Sequence, residues 1–554
     1  MSRSATDFFA GGRARPILSL GLLVAAVFGP VFWFDFVRWD DPVNITHNPL
    51  LTEPWSRELL AKLVNGDTAL RFKPLPWLLY RGTHALFGFN PAAWHGLNLA
   101  LHFGTVVMAW VVFRATLARL RPAAPESARA FLAWLGAAVW AVHPAHVEPA
   151  VWATATPYPL MVIFLLGSFW FYLRATDPAA GVATRRRDFI WSWLLAVGSY
   201  ASYPVGVTYG LWLVVADLWI LRAAPLDTRA PAAWLRWAVR PLLFLVPAVA
   251  SVLVTFQSSS TTPWLYPAPA TLAEVGVPVR LEMAAAMLAS VWTHFFRPFG
   301  LTPNNPMIPP EMLHGPLILT MAAVAIFVVG SALVLQRRSP GFTGAVFGSA
   351  VLALPVLGFT QWPTWSVADR HVYLPHLVLT GAVMVWLASS ASRLRVVPAL
   401  LVLAGLAWLG RQQVLIWRNT DSLFQYIEAQ PAFAWNPTQQ AYIYQLWGAQ
   451  AVEDGRPADA AKKNEQARKI LVEAMLAEAG RENWTQATEL ASRLEQAFGL
   501  PPVLRRERAR WWLAQGALAP AQADLRQVRR ELPGDLPTEE LVREWQRQAG
   551  GKDL

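Results

Sequence analysis

The stretch ILSLGLLVAAVFGPVFWFDF, residues 17–36, decides the class of fold, and the acidic pair Asp40 and Asp41 follows it closely. It is long enough to cross a bilayer, and no small-residue cleavage site follows it, so it predicts an uncleaved first transmembrane helix. Ionised side chains at a membrane boundary are costly and usually functional. Two adjacent carboxylates supply a potential general base and a second charge that tunes it. The alternative for both acids is the solvated start of a loop.

The composition extends the membrane prediction to most of the chain. Of 554 residues, 55% are hydrophobic, only 15% are charged and 29 are Trp, which is far from a soluble average. Apolar runs separated by Arg clusters predict an all-α, polytopic membrane protein with about 11 transmembrane helices. The predicted spans are residues 17–36, 96–117, 131–142, 160–173, 189–202, 205–221, 241–256, 316–335, 342–360, 374–389 and 396–416.

The distribution of basic residues predicts the topology. Arginines concentrate in every second loop, and such loops are cytoplasmic. The stretch 281–296 carries Glu282 and His294 and would break this alternation as a span, so it predicts an interfacial helix on the outer face. The N-terminus is then cytoplasmic and the C-terminus outside. The first outer loop, residues 37–95, contains amphipathic pieces at 55–64 and 72–87 that predict surface helices.

The C-terminal part of the chain differs in composition. Residues 1–420 carry a net charge of +13 and residues 421–554 a net charge of −2, so the excess of base belongs to membrane loops and does not indicate nucleic-acid binding. Residues 421–554 are polar with helical periodicity and recurrent small residues, which predicts degenerate tetratricopeptide-like helix pairs or a plain helical bundle. There is no Cys, which excludes disulfides, thiolate metal sites and Cys nucleophiles.

Six segments in order along the chain carry a resemblance to a known family. They are FVRWDDPVNITHNPLL (36–51), RFKPLPWLLYRGTHALFGFNPAAWHGLNLALH (71–102), AVHPAHVEPAVW (141–152), RLEMAAAMLASVWTHFFRPFGLTPNNP (280–306), LPVLGFTQWPTWSVADRHVYLP (354–375) and RQQVLIWRNTDSLFQ (411–425). The chain resembles the GT-C glycosyltransferases with tetratricopeptide tails, whose animal members are the transmembrane-and-tetratricopeptide O-mannosyltransferases.

The resemblance implies an inverting enzyme that transfers a sugar from a polyprenyl-phosphate carrier to an acceptor hydroxyl outside the cytoplasmic leaflet. It places the catalytic base at Asp40 or Asp41, and we favour Asp40. A hydroxyl that attacks an anomeric carbon must lose its proton, so a carboxylate within hydrogen-bond reach is required. No cofactor is expected beyond the lipid-linked donor, since a monophosphate leaving group depends less on a divalent ion than a diphosphate does.

Cations are expected opposite the leaving phosphate. Arg370 is the strongest candidate, with Asp369 orienting it and Tyr373 on the same helix side to contact the phosphate or fix the Arg. Arg71 and Lys73 are further candidates on the outer face. The alternative for Arg370 is an interface anchor whose head reaches the polar layer.

His143, His146 and Glu148 form a polar cluster at the end of the predicted third span. The two imidazoles and the acid raise the question of a zinc site. Pro144 interrupts the helix and no third ligand is evident, so we expect hydrogen bonding to sugar or phosphate, or a polar cap on the cavity, and no metal.

Two segments depart from the family pattern. Residues 153–160 read ATATPYPL, uncharged, where family members carry charged residues, and Ser202-Tyr203-Pro204 lacks the usual Lys. These departures leave open a changed donor preference or a catalytically silent scaffold whose C-terminal domain recruits envelope partners. A transporter of lipid-linked material is a third alternative, although transporter charges usually lie within the span rather than at its end.

The resemblance and composition also predict location and partners. High Arg, Ala and Trp content and basic loops favour a bacterial inner membrane over an animal reticulum, with the C-terminal domain in the periplasm. The expected partners are the lipid bilayer, the polyprenyl-phosphate-linked sugar, an acceptor protein or glycan, and a protein bound by the tetratricopeptide-like domain.

Overall fold

The computed structural model describes residues 13–65, 72–260, 276–303, 315–358, 368–388, 393–552 and 554, and these residues contain helices but no strand. The all-helical prediction is confirmed for them. The chain divides into two compact units, Met1–Gln430 and Pro431–Leu554. The boundary predicted from composition, after residue 420, falls at the start of the helix Thr420–Glu428. This helix lies in the first unit.

The first unit contains α1 (Ala14–Phe28), α2 (Arg57–Asn65), α3 (Pro74–Phe87), α4 (Pro91–Leu120), α5 (Glu126–Val142), α6 (Val147–Val151), α7 (Pro157–Ala175), α8 (Val182–Tyr200), α9 (Tyr209–Val215), α10 (Pro231–Leu242), α11 (Leu245–Ser260), α12 (Val277–Phe296), α13 (Pro316–Leu335), α14 (Pro340–Ala353), α15 (Pro375–Leu387), α16 (Arg393–Leu415) and α17 (Thr420–Glu428). The second unit contains α18 (Pro437–Glu453), α19 (Pro457–Gly480), α20 (Trp484–Phe498), α21 (Pro502–Ala514), α22 (Leu518–Glu531) and α23 (Leu536–Gln548).

The described residues contain fewer candidate membrane spans than the 11 predicted. Five segments are long and apolar enough to cross a membrane: Ala14–Trp33, Pro91–Leu120, Ala153–Ala175, Ile318–Leu335 and Val397–Leu415. Two bent helix pairs raise the number to 7 if each crosses as one span: α5 with Pro144–Val151, bent by 67°, and α10 with Leu245–Gln257, bent by 42°. The described part of the chain thus has several membrane-type helices, and it supports about five to seven candidate spans rather than clearly 11.

Prolines explain part of the difference. Three predicted spans fold as apolar helices of at most 17 residues, and these helices lie at Pro204–Ile220, Pro340–Val356 and Pro375–Leu387. Each begins at a proline, which fixes its own φ and disfavours helical backbone in the preceding residue. Apolar composition therefore identified these segments correctly as apolar helices, but it overestimated the length of uninterrupted helix.

Short helices of the first outer loop form a small core of their own. The predicted pieces at 55–64 and 72–87 correspond to α2 and α3, whose amphipathic sequences the structure folds as expected. The buried apolar residues of this core are Ile45, Leu51, Leu59, Leu63, Trp77, Tyr80, Trp94 and Ala153. Because Ala153 follows α6 in the chain, this core attaches the first outer loop to the segment after α6.

The stretch predicted as an interfacial helix is helical over α12, and it is not among the candidate spans. One side of α12 is buried in a cluster that includes Met283, Met287 and Val291, together with residues of α13 and α14. This helix therefore packs within the first unit and supplies backbone carbonyls to its interior.

The second unit is a succession of helices in which each packs against the next along the chain. Several helices of this unit end at glycines, and Gly455, Gly499 and Gly534 have φ of 70°, 77° and 78°, which favours glycine after a helix. Helical repeats and plain bundles share this neighbour-to-neighbour packing, so both readings of the sequence fit this unit.

Candidate functional site

Asp41 is fully buried and connects two segments of the first unit. Its Oδ2 accepts the Val37 N–H at 2.9 Å, and its Oδ1 accepts the Thr154 N–H at 3.2 Å and the Thr154 hydroxyl at 2.6 Å. Burial raises the pKa of Asp41 to about 7, although the hydrogen bonds from Thr154 and Val37 oppose the rise. The Asp41 carboxyl therefore holds the first outer loop against the start of the segment 153–160.

Asp40 is the exposed member of the pair. Its carbonyl oxygen accepts the Asn44 N–H and the Asn44 side-chain amide, both at 3.0 Å, so its backbone is fixed in a turn. The preceding Arg38 N–H donates to the Thr420 hydroxyl at 2.9 Å, which attaches this turn to α17. Asp40 thus presents a carboxylate from a fixed backbone at a solvent-accessible position.

A buried ion pair lies at the centre of the candidate site. Arg370 Nη1 donates to Glu148 Oε1 at 2.5 Å, and the Arg370 backbone N–H donates to Glu148 Oε2 at 2.9 Å. The Glu148 side chain is 1% exposed and that of Arg370 is 17% exposed. Burial lowers the pKa of Arg370, but attraction to Glu148 outweighs this effect and keeps the pKa above its ordinary value. The guanidinium is therefore charged and partly open to the surroundings.

The local sequence explains how Glu148 reaches Arg370. Helix α5 ends at Val142, since Pro144 cannot continue its hydrogen bonding, and a single turn over Pro144–His146 leads into α6. The resulting bend of 67° directs Glu148 toward a partner 222 residues away in the chain. Trp152, at the end of this segment, lies with its ring centroid 5.6 Å from the Arg370 guanidinium carbon.

The charge on this ion pair interacts with Asp40 and with two tyrosines. Asp40 interacts electrostatically with Glu148, and Tyr158 and Tyr203 interact electrostatically with Arg370. The two tyrosine rings lie 4.7 Å apart between centroids, and their hydroxyl oxygens are 3.4 Å apart. Sequence reasoning missed both residues, although each lies in one of the two segments that depart from the family pattern.

The contacts of Asp369 differ from those expected for the predicted role of orienting Arg370. Its side chain is buried, its Oδ1 has no hydrogen-bond partner among the described residues, and His294 Nδ1 lies 3.9 Å away. Burial, followed by repulsion from Glu148, raises the pKa of Asp369 well above its ordinary value. Glu148 therefore provides the direct hydrogen bonds to Arg370 that Asp369 was expected to make.

The remaining predicted phosphate contacts are engaged inside the protein or lie outside the described residues. The Tyr373 hydroxyl is hydrogen-bonded to His102 Nδ1 at 2.8 Å, and Tyr373 is fully buried. Lys73 Nζ donates to Asn44 Oδ1 at 2.9 Å. Arg71 lies outside the described residues.

The two predicted histidines are joined by a third that sequence reasoning missed. His143 and His146 are buried at the bend between α5 and α6, and His376 of α15 lies against both. One ligand nitrogen from each of the three rings lies within 4.8 Å of the others. The missing third ligand was the reason to disfavour a metal, and the only sequence signal for it is that His376 directly follows the ADRHVYLP segment.

Comparison with known proteins supports a coarse assignment. No family model and no solved structure matches the chain. A stretch of 169 residues is 27% identical to the human protein described as Protein O-mannosyl-transferase TMTC4, covering 28% of this chain and 23% of that protein. The chain thus matches less than a quarter of the relative's length. The apolar helices of the described residues fit a membrane protein.

Proposed function

We propose that this protein is an inverting membrane glycosyltransferase that takes a sugar from a polyprenyl-phosphate donor and transfers it to an acceptor hydroxyl. The observation that carries the proposal is the combination of an exposed acid, Asp40, with a charged and partly open Arg370 held by Glu148. Such a transfer needs a proton acceptor on one side of the reacting carbon and a cation on the other.

In the proposed reaction, the acceptor oxygen attacks the anomeric carbon while Asp40 takes the hydroxyl proton. The bond between the anomeric carbon and the donor phosphate oxygen breaks, and the electron pair stays on the phosphate. Arg370 stabilises that charge, and Glu148 fixes the orientation of the guanidinium. Tyr158 and Tyr203 supply a hydrogen-bonded pair of hydroxyl groups in the two segments that lack the charged groups of the family.

The proposal also states in which membrane, and on which side of it, the reaction takes place. The expected membrane is the bacterial inner membrane, with the reacting groups and the C-terminal unit on the periplasmic side. The acceptor is then a periplasmic protein or glycan, and the C-terminal unit provides a surface to recruit it. No cofactor is required for the steps assigned to Asp40 and Arg370.

A silent scaffold is the second candidate, and one observation favours it. The Arg370 guanidinium is already paired with Glu148, which also accepts the Arg370 backbone N–H, and an arginine of purely structural purpose would show the same contacts. An active glycosyltransferase and a silent scaffold should differ in turnover and in donor binding, and each property is tested separately.

Turnover is tested with the purified full chain in lipid nanodiscs, supplied with a polyprenyl-phosphate hexose and a Ser/Thr-containing acceptor peptide. Asp40→Asn keeps the size of the side chain and removes the proton acceptor, so transfer should fall by about 10²–10⁴-fold. Asp35→Asn is the matched control, since Asp35 is another exposed acid close to the end of α1. Full transfer by Asp40→Asn would exclude Asp40 as the base.

Donor binding is tested separately with wild type, Arg370→Lys and Arg370→Ala. Lysine keeps the charge but loses the planar two-pronged donor of arginine, so binding of the polyprenyl-phosphate hexose should weaken with Lys and disappear with Ala. Membrane insertion should be unchanged. Equal affinity in all three proteins would assign Arg370 a structural role and favour the scaffold.

A further inference from the structure

Three buried imidazoles form a compact triangle at the bend between α5 and α6. His143, His146 and His376 are 2%, 0% and 0% exposed. Their ring centroids are separated by 5.0 Å for His143–His146, 5.4 Å for His143–His376 and 5.2 Å for His146–His376. Because these three rings are buried and close together, the position of each ring hydrogen decides whether neighbouring nitrogens attract or repel each other.

Backbone carbonyls determine the tautomers of two of these rings. His146 Nδ1 lies 2.6 Å from the Trp140 carbonyl oxygen, and His376 Nε2 lies 2.9 Å from the Val291 carbonyl oxygen. A carbonyl oxygen only accepts hydrogen bonds, so each of these nitrogens carries the single hydrogen of its neutral ring. His146 Nε2 and His376 Nδ1 therefore both present lone pairs.

These two lone-pair nitrogens face each other at 3.1 Å. Two acceptors at this distance in a dry interior repel each other unless a cation lies between them. The spacing fits a shared metal ion, because two nitrogens bound to Zn²⁺ at 2.0–2.1 Å in tetrahedral geometry are about 3.3 Å apart. A proton shared between these two nitrogens would also relieve the repulsion, but it would give no role to the third imidazole, His143, which lies beside both rings.

His143 has the same arrangement as the other two rings. Its Nε2 lies 3.2 Å from the Phe295 carbonyl oxygen, and its Nδ1 accepts the Ala145 N–H at 3.3 Å. The first contact places the ring hydrogen on Nε2 and leaves a lone pair on Nδ1, which the long bond from Ala145 engages only weakly. All three imidazoles thus donate a ring N–H to a backbone carbonyl, which is the usual way to orient metal-ligating histidines.

We propose that His143, His146 and His376 bind one Zn²⁺-class transition-metal ion. Imidazole ligands suit zinc, copper, iron and nickel, and a three-histidine site selects among these rather than the harder magnesium and calcium. The ion would tie the bend between α5 and α6 to the first turn of α15, with α12 providing two of the orienting carbonyls. Glu148 follows His146 closely, so the ion would hold the segment that positions Glu148. This role does not depend on glycosyl transfer.

The test measures bound metal in the full chain, purified with an affinity tag other than polyhistidine and equilibrated with micromolar Zn²⁺ or Co²⁺. Wild type should retain one ion per chain after desalting, and Co²⁺ should show the visible absorption of a site with nitrogen ligands. His376→Gln should lower metal affinity at least tenfold. His102→Gln is the matched control, since His102 is also buried and both its ring nitrogens are hydrogen-bonded, to Tyr373 and to the Ala141 carbonyl.

Two results would overturn the proposal. Wild type that retains neither metal would leave the shared proton as the explanation for the facing nitrogens. Binding that His376→Gln leaves unchanged would show an adventitious ion at exposed side chains. Because the first result needs only wild type, the proposal stays falsifiable even if His376→Gln does not fold.

Discussion

Asp40 and Asp41 are neighbours in the chain, yet one carboxyl is exposed and the other is fully buried. Adjacent residues diverge in this way where the backbone turns from a loop into a short helical turn. Asp41 faces Thr154, whereas Asp40 faces outward. The two acids should therefore affect different properties of the protein, turnover for Asp40 and stability for Asp41.

Asp41 should make stability depend on pH. Its folded-state pKa of about 7 lies above the unfolded value of 3.8, so its contribution is fully present below about pH 4 and is lost as pH rises through about 7. One carboxyl with this shift accounts for about 4 kcal/mol at most. Thermal unfolding in detergent between about pH 4 and pH 8 should show this slope in wild type and a shallower slope in Asp41→Asn, in which the buried Asp369 still titrates above its ordinary range.

Asp40→Asn is the control for that measurement, because burial raises the pKa of Asp41 more than the charge of the exposed Asp40 does, so this variant should change the pH slope much less than Asp41→Asn. An Asp41→Asn protein with the wild-type slope would mean that another group titrates in this range.

The Glu148–Arg370 pair should show strong coupling. Removal of one partner leaves a buried, uncompensated charge, which typically costs about 3–5 kcal/mol. Glu148→Gln and Arg370→Met should each lower the free energy of unfolding by about this amount. The double variant should be more stable than the sum of the single losses predicts, and a double-mutant cycle in detergent measures the difference. Additive losses would contradict a direct buried pair.

At the scale of elements, the bend between α5 and α6 depends on close packing by α16. A Cβ built on Gly410 would lie 2.5 Å from the Val142 carbonyl oxygen, whereas one built on Gly405 of the same helix would meet no atom within 4 Å. Val142 is the last residue of α5 and directly precedes His143. Helix α16 can therefore approach the bend only because position 410 has no side chain.

Gly410→Ala should destabilise the protein by about 1–3 kcal/mol, the usual cost of overpacking. Gly405→Ala is a matched control in the same helix and should be neutral or stabilising by up to about 1 kcal/mol, because alanine favours helix. Thermal unfolding of both variants in detergent measures the contrast. Equal stability of the two variants would show that α16 does not require close approach at Gly410.

At the scale of the whole molecule, the number of spans decides which side of the membrane carries the second unit. If the five candidate spans of the described residues all cross, or seven with both bent pairs counted, the two ends of the membrane region lie on opposite sides. The predicted 11 spans have the same consequence, since all three numbers are odd. An even number would result if only one of the two bent pairs crosses.

A reporter fused after Gln430 should therefore be active only outside the cytoplasm. The measurement uses a pair of reporters, one that works only in the cytoplasm and one that works only outside it. Fusion near the N-terminus is the control and should give the opposite result. Cytoplasmic activity after Gln430 would mean that a single bent pair crosses, or that a further span lies in the chain.

Local sequence alone determined the class of this protein and the segments that form its candidate site. Apolar runs and helical periodicity act over short stretches, so they predicted an all-helical membrane protein and the helices α2 and α3. The acidic pair, the histidine-rich bend and the segment around Arg370 were also identified from their own residues.

Only the tertiary structure decided which of these residues meet and which are buried. Glu148 rather than Asp369 holds Arg370, His376 completes the imidazole triangle, and Tyr158 pairs with Tyr203. Each choice joins positions far apart in the chain, and no local pattern encodes such a distance. Span number also depended on the fold, because three apolar runs form helices of at most 17 residues that each start at a proline.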